Sequence, residues 1–148
     1  KTMIKSLFTK TTIVLALMCS AYSCTYTSTK SKATNFKIEN AKVVENLKAL
    51  VTFEKVNVNG TETKTKAQEK EQVSTNLEIS IINGSNIPSD DVKIKSLAKS
   101  IASQFKQELS DTTDFKTFNV VFVANQSNGI VTTNNYTSFT FKSEELSK

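Results

Sequence analysis

Between Pro88 and Ser110 the apolar residues Ile94, Leu97, Ala98, Ile101, Ala102, Phe105 and Leu109 recur at every third or fourth position. At about 100° per residue they cover an arc of about 140°. The spacing predicts a long amphipathic helix over about 90–110. Its start is marked by Pro88, by Ser89 as candidate N-cap, and by Asp90 and Asp91 facing the positive end of the helix dipole. A helix with such a stripe must bury it on something, and the flanking segments read as strands.

Leu77, Ile79 and Ile81 alternate with Glu78 and Ser80, which predicts a half-buried strand from about 74 to 83. Val51, Phe53, Val56 and Val58 supply its partner, with a change of phase near Glu54-Lys55 that suggests a bulge. The charged link NGTETKTKAQEKEQ between them reads as a long, loose hairpin loop. Further on, Phe118, Val120, Phe122 and Ala124 share one face while Val121 and Val123 occupy the other, as in a central strand. Thr137, Phe139 and Phe141 alternate with polar neighbours, as in a strand covered on one side. All three glycines follow asparagine, at Asn59-Gly60, Asn83-Gly84 and Asn128-Gly129, and two of these pairs are expected at hairpin tips.

Residues 36–51 fit two periods. Val43, Val44, Leu47, Leu50 and Val51 suit a helix, whereas Leu47, Ala49, Val51 and Phe53 suit a strand; a short helix over about 40–49 is preferred. The order helix, hairpin, helix, hairpin then predicts an α+β domain. Its antiparallel sheet has about four strands in two hairpins, with the helices packed on one face.

Composition removes much chemistry. The 148 residues include no His, so no imidazole base, Ser-His or Cys-His relay, or histidine metal ligand is available. All 19 basic residues are lysine, leaving no guanidinium fork for phosphate or guanine, and nucleic acid is not an expected partner. The formal charge of +5 is concentrated near the start, because Lys1, Lys5 and Lys10 are accompanied by no acid before Cys24. From residue 24 on, 16 lysines face 14 acids, a side-chain charge of about +2.

That basic start, KTMIKSLFTK, is followed by the apolar run TTIVLALM, too short for a bilayer span of about 20 residues. Small and polar residues come next, the layout of a secretory signal peptide. Ala21-Tyr22-Ser23-Cys24 resembles a bacterial lipobox, with small residues three and one before the cysteine that would receive lipid. Ala21 stands where the commonest lipobox has Leu. Cys19 would need Met18 in the position next to the cut, a poorer fit. The resemblance implies processing at Cys24, which would discard Cys19, and a domain without disulfides. The expected organisation is a signal peptide at 1–23, a lipidated cysteine and polar tether at 24–35, and one domain at 36–148. The whole chain resembles the small, Lys/Asn/Thr-rich envelope lipoproteins of Bacteroidetes-type bacteria, a compositional likeness that implies no activity.

Other features each have a plain structural reading beside the functional one. Asp90 with Asp91 and Asp111 with Asp114 suit capping and turns better than a metal site, and no cofactor or metal is expected. Lys95, Lys99 and Lys106 lie along one flank of the long helix, where they either solvate its edge or meet an anionic lipid or polymer. Tyr136, in NQSNGIVTTNNYTS, is a candidate partner contact. Asn59, Asn83, Asn125 and Asn135 open Asn-x-Ser/Thr triplets, and Asp111-Thr112-Thr113 resembles a bacterial O-glycosylation acceptor.

The expectation is a membrane-tethered, non-catalytic binding or scaffolding lipoprotein of the cell envelope, facing periplasm or cell surface, with an envelope protein or polymer as partner. One alternative is a soluble secreted effector or inhibitor released by cleavage after Ala21. Another is an enzyme using Glu78 or the aspartates from a pocket between helix and sheet.

Overall fold

The computed structural model describes residues 25–67, 70–127 and 132–146. In chain order these form β1 (Thr25–Lys32), α1 (Asn40–Lys48), β2 (Lys55–Ala67), β3 (Lys70–Ile82), α2 (Asp91–Glu108), β4 (Thr117–Ser127), β5 (Thr132–Lys142) and a single 3₁₀ turn, Ser143–Glu145. The strands make one sheet in the order β1-β2-β3-β4-β5. The fold is α+β, with a five-stranded mixed sheet and two helices.

The long helix lies where its stripe places it, burying Ile94, Ala98, Ile101, Ala102 and Phe105. Its N-cap is Asp90 rather than Ser89. The Lys93 amide donates to the Asp90 carboxylate at 2.9 Å, satisfying one of the free N–H groups of the first turn. The short helix α1 buries Val43 and Leu47.

The sheet corrects the antiparallel expectation. β4 pairs with β5 antiparallel, Phe118 opposite Phe141 and Val123 opposite Tyr136. β3 and β4 pair in parallel, from Asn76 opposite Thr117 to Ile82 opposite Val123. The cause is the helix between them: α2 carries the chain back along the sheet, so β4 enters in the direction of β3, as in a βαβ unit. The two hairpins therefore meet along a parallel seam.

A fifth strand comes from residues expected to be a tether. Thr25–Lys32 is polar throughout, yet its Thr and Tyr residues favour extended backbone, and lysine is tolerated at a sheet edge. Thr29 bonds Thr63 through their hydroxyls at 3.1 Å, and Lys30 pairs with Glu62 at 3.1 Å. Likewise the charged link NGTETKTKAQEKEQ is not a loose loop. Its residues 59–67 continue β2 and its residues 70–72 open β3, each strand being 13 residues long, because alternating Thr and charge suits a solvated strand as well as it suits a coil.

One of the asparagine-glycine pairs departs from the hairpin-tip reading. Asn59-Gly60 lies inside β2, with Gly60 buried. Asn83 adopts φ 51°, a conformation asparagine tolerates, and ends β3. Its side-chain amide donates to Glu54 and its side-chain oxygen accepts from the Asn125 backbone amide at 2.8 Å, so the turn after β3 is tied both to the residue before β2 and to β4. Asn128-Gly129 lies outside the described residues.

The described residues divide into two compact units, one of residues 25–28 with 64–67 and 70–72, the other of residues 29–63 with 73–127 and 132–146. The described part of the first unit is strand backbone with a Lys64 to Glu71 ion pair at 3.7 Å. The second holds the whole core, in which Leu77, Ile79, Ile81, Phe118, Val120 and Phe141 meet the buried faces of both helices.

Candidate functional site

Two surfaces of the larger unit have the shape or chemistry of a binding site. One is a cleft of about 440 Å³. β1 stops at Lys32 and the chain turns away toward α1, so the part of β2 before Gly60 has no β1 alongside it. Val58 then forms one wall and Val43 and Val44 of α1 the other, with Phe36 and Phe105 at the base. The two rings meet edge to face, centroids 6.0 Å apart. Ser31, Asn40 and Asn59 give the rim hydrogen-bonding groups. Lys32 reaches the rim, but its ammonium sits 3.0 Å from the Asp114 carboxylate and 5.5 Å from the centre of the Phe115 ring, so its charge is already engaged.

The other surface is the sheet face turned away from the helices. Side chains alternate across a strand. With Leu77, Ile79, Phe118 and Val120 in the core, Glu78, Ser80, Asn119 and Val121 point outward. The Glu78 carboxylate accepts from Ser80 at 3.4 Å and from Asn119 at 3.3 Å, and Asn119 in turn accepts from Thr140 at 3.2 Å. A polar row thus crosses β3, β4 and β5. Glu78 accordingly lies on the opposite side of the sheet from the helix-sheet pocket that the carboxylate-enzyme reading required.

The other sequence candidates are scattered. Lys95 and Lys99 are exposed on α2, and Lys99 borders a shallow polar depression with Ser96, Ser103 and Gln107. Lys106, on the same flank, is tied down: its ammonium donates to the Ser143 carbonyl at 2.7 Å and the Leu146 carbonyl at 3.3 Å, holding the 3₁₀ turn against the helix. Tyr136 is 65% exposed on the outward sheet face. Cys24, Cys19 and the leader lie outside the described residues. The cleft had no signature in the sequence, since it arises from where β1 ends. The only visible signal for the polar row was Glu78 and Ser80 alternating with Leu77, Ile79 and Ile81.

Asp90 caps α2, Asp91 lies in its first turn, and Asp114 pairs with Lys32. Asp111 accepts from the Thr113 hydroxyl at 2.7 Å and the Thr113 amide at 2.8 Å. The hydroxyl bond, then the amide bond, hold its pKa below the ordinary 3.8, aided by the charge of Lys32. A depressed carboxylate stabilises the fold above its ordinary range, and that contribution disappears as pH falls through the depressed value. Asp111→Ala is thus expected to be less stable than the parent at neutral pH, with the two unfolding curves converging in acid. A gap that stayed constant down to strong acid would remove the carboxylate from the explanation.

Among the described residues no three His, Cys, Asp or Glu side chains gather as a metal would require. Nor is any described helix long and apolar enough to cross a membrane. No protein-family model matches the chain, and no curated protein matches it. Among solved structures it is similar to a sex pheromone staph-cAM373 precursor, at 13% identity and a TM-score of 0.43, over 79% of this chain. The aligned part is 40% of that longer chain.

Proposed function

We propose that this protein is a membrane-tethered, non-catalytic binding or scaffolding lipoprotein of the bacterial cell envelope, anchored through Cys24 and meeting an envelope protein or polymer. The observation that carries this reading is the sequence Ala21-Tyr22-Ser23-Cys24 two residues after a basic segment and a short apolar run. Two or three acyl chains at about 0.8 kcal/mol per buried CH₂ hold a protein on a bilayer without a spanning helix. The half-open cleft and the polar sheet face support a binding role, as surfaces on which a partner could rest.

The fold alters one part of the picture. β1 begins at Thr25, the residue after Cys24, so a lipid there would attach at the very start of a sheet edge rather than through a flexible spacer.

Mass spectrometry of the mature N-terminus, with fractionation of Cys24→Ala, tests the anchor. The parent is expected in the membrane fraction with a diacylglyceryl Cys24, and Cys24→Ala is expected to lose the lipid. A mature chain beginning at Tyr22 would overturn the anchor and favour the secreted effector or inhibitor.

A further inference from the structure

The strand register arranges the outward sheet face as an ordered grid, and the grid points to a ligand. From one end, the cross-strand rows are Ile82, Val123 and Tyr136; then Ser80, Val121 and Ser138; then Glu78, Asn119 and Thr140. Neighbouring strands stand about 4.8 Å apart and successive rows about 6.8 Å apart. An aromatic and apolar row is thus followed by Val121 between two serine hydroxyls, and then by a hydrogen-bonded carboxylate and amide.

We infer that this face binds a neutral glycan chain, lying across β3, β4 and β5 with one sugar ring on Tyr136. A pyranose has an apolar face of C–H groups and a rim of hydroxyls that both donate and accept. Tyr136 offers the flat, largely exposed ring such a face lies on. The Ser138 hydroxyl and the Tyr136 phenol have no partner within the chain among the described residues, so both remain available. Glu78 and Asn119 are held by Ser80 and Thr140 in fixed orientations, with lone pairs to spare for sugar hydroxyls.

Other occupants fit less well. A protein interface has an apolar centre ringed by polar groups, whereas here the apolar side chains Ile82, Val123, Tyr136 and Val121 lie toward one end and the opposite end is the bonded row of Glu78, Asn119 and Thr140. Nucleic acid needs a field of cations, and the grid itself carries the Glu78 carboxylate and no lysine. A bilayer surface likewise calls for basic and apolar residues together. The inference is independent of whether Cys24 carries lipid.

The test is a titration of the full chain, isotope-labelled and held in a detergent without a sugar headgroup, with cellohexaose, maltohexaose and N-acetyl-chitohexaose to millimolar concentration. Amide resonances of Val121, Val123, Tyr136 and Ser138 are expected to move with at least one of the three. Tyr136→Ala is expected to weaken that binding about tenfold, while Tyr136→Phe retains it. Both variants change an exposed side chain, so the dispersion of core resonances shows directly that the fold persists. No movement with any of the three sugars overturns the inference. So does movement confined to the cleft between α1 and β2, or movement driven by protein concentration alone, which would assign the face to a second copy of the chain.

Discussion

Phe105→Ala is expected to lower the free energy of unfolding by about 3–5 kcal/mol. The ring is 1% exposed, stands edge to face with Phe36, and belongs to the stripe by which α2 joins the core. Truncation removes the transfer free energy of the ring and leaves a void. The void cannot close readily, because the neighbouring surface is the rigid sheet on one side and the cleft on the other. A domain of this size has about 5–15 kcal/mol in total, so the variant should sit near the limit of folding at ordinary temperature. Urea unfolding followed by circular dichroism reads the loss. A change below about 1 kcal/mol would mean that Phe105 is not part of the packed interior.

Gly60→Ala is the second large effect, and its cause is close approach. A methyl group at this position would press against the Lys32 carbonyl oxygen, inside van der Waals contact, and stand 2.9 Å from Cζ of Phe115. The Phe115 ring is buried and the carbonyl belongs to the backbone of β1, so neither can swing aside as a surface side chain would. The expected cost is about 1–3 kcal/mol, concentrated where β1 meets β2. Hydrogen exchange should therefore accelerate at the amides of Thr29 to Lys32 well before those of α2. Uniform acceleration across both elements would count against this account.

These two residues also show what the sequence makes legible. Phe105 belongs to a stripe of seven apolar residues between Ile94 and Leu109, and the helix it predicts is present. The alternation of β4 and β5, the preference for a helix at 40–49 and the α+β class can be read the same way, because burial on one face imposes a period. Gly60 illustrates the converse. As half of an Asn-Gly pair it signals a turn, but it serves instead as the gap that lets Lys32 and Phe115 approach β2, and no local pattern records a contact 28 residues away in one direction and 55 in the other. β1 was missed because an edge strand with both faces exposed has no hydrophobic period to display. The direction of β4 was missed because periodicity tells which way a side chain faces and says nothing of which way the chain runs.

The candidate surfaces divide along the same line. The outward position of Glu78 and Ser80 follows from alternation within one strand. That Glu78 should stand beside Asn119 and Thr140, and Ile82 beside Val123 and Tyr136, depends on the register between three strands. The cleft depends on where one strand ends.

The parallel seam between β3 and β4 bears on how the chain reaches this structure. The hairpins on either side can close locally, within microseconds. Residues facing each other across the seam, such as Glu78 and Asn119, are 41 positions apart, and the intervening chain must order α2 and lay it on the sheet before they meet. The seam therefore carries much of the entropic cost of the folding barrier, and the two hairpins are the pieces it joins. Until it closes, the edges of β3 and β4 expose unpaired amides and carbonyls beside Leu77, Ile79 and Val120, and the half-folded chain is at its most prone to pair with a neighbour.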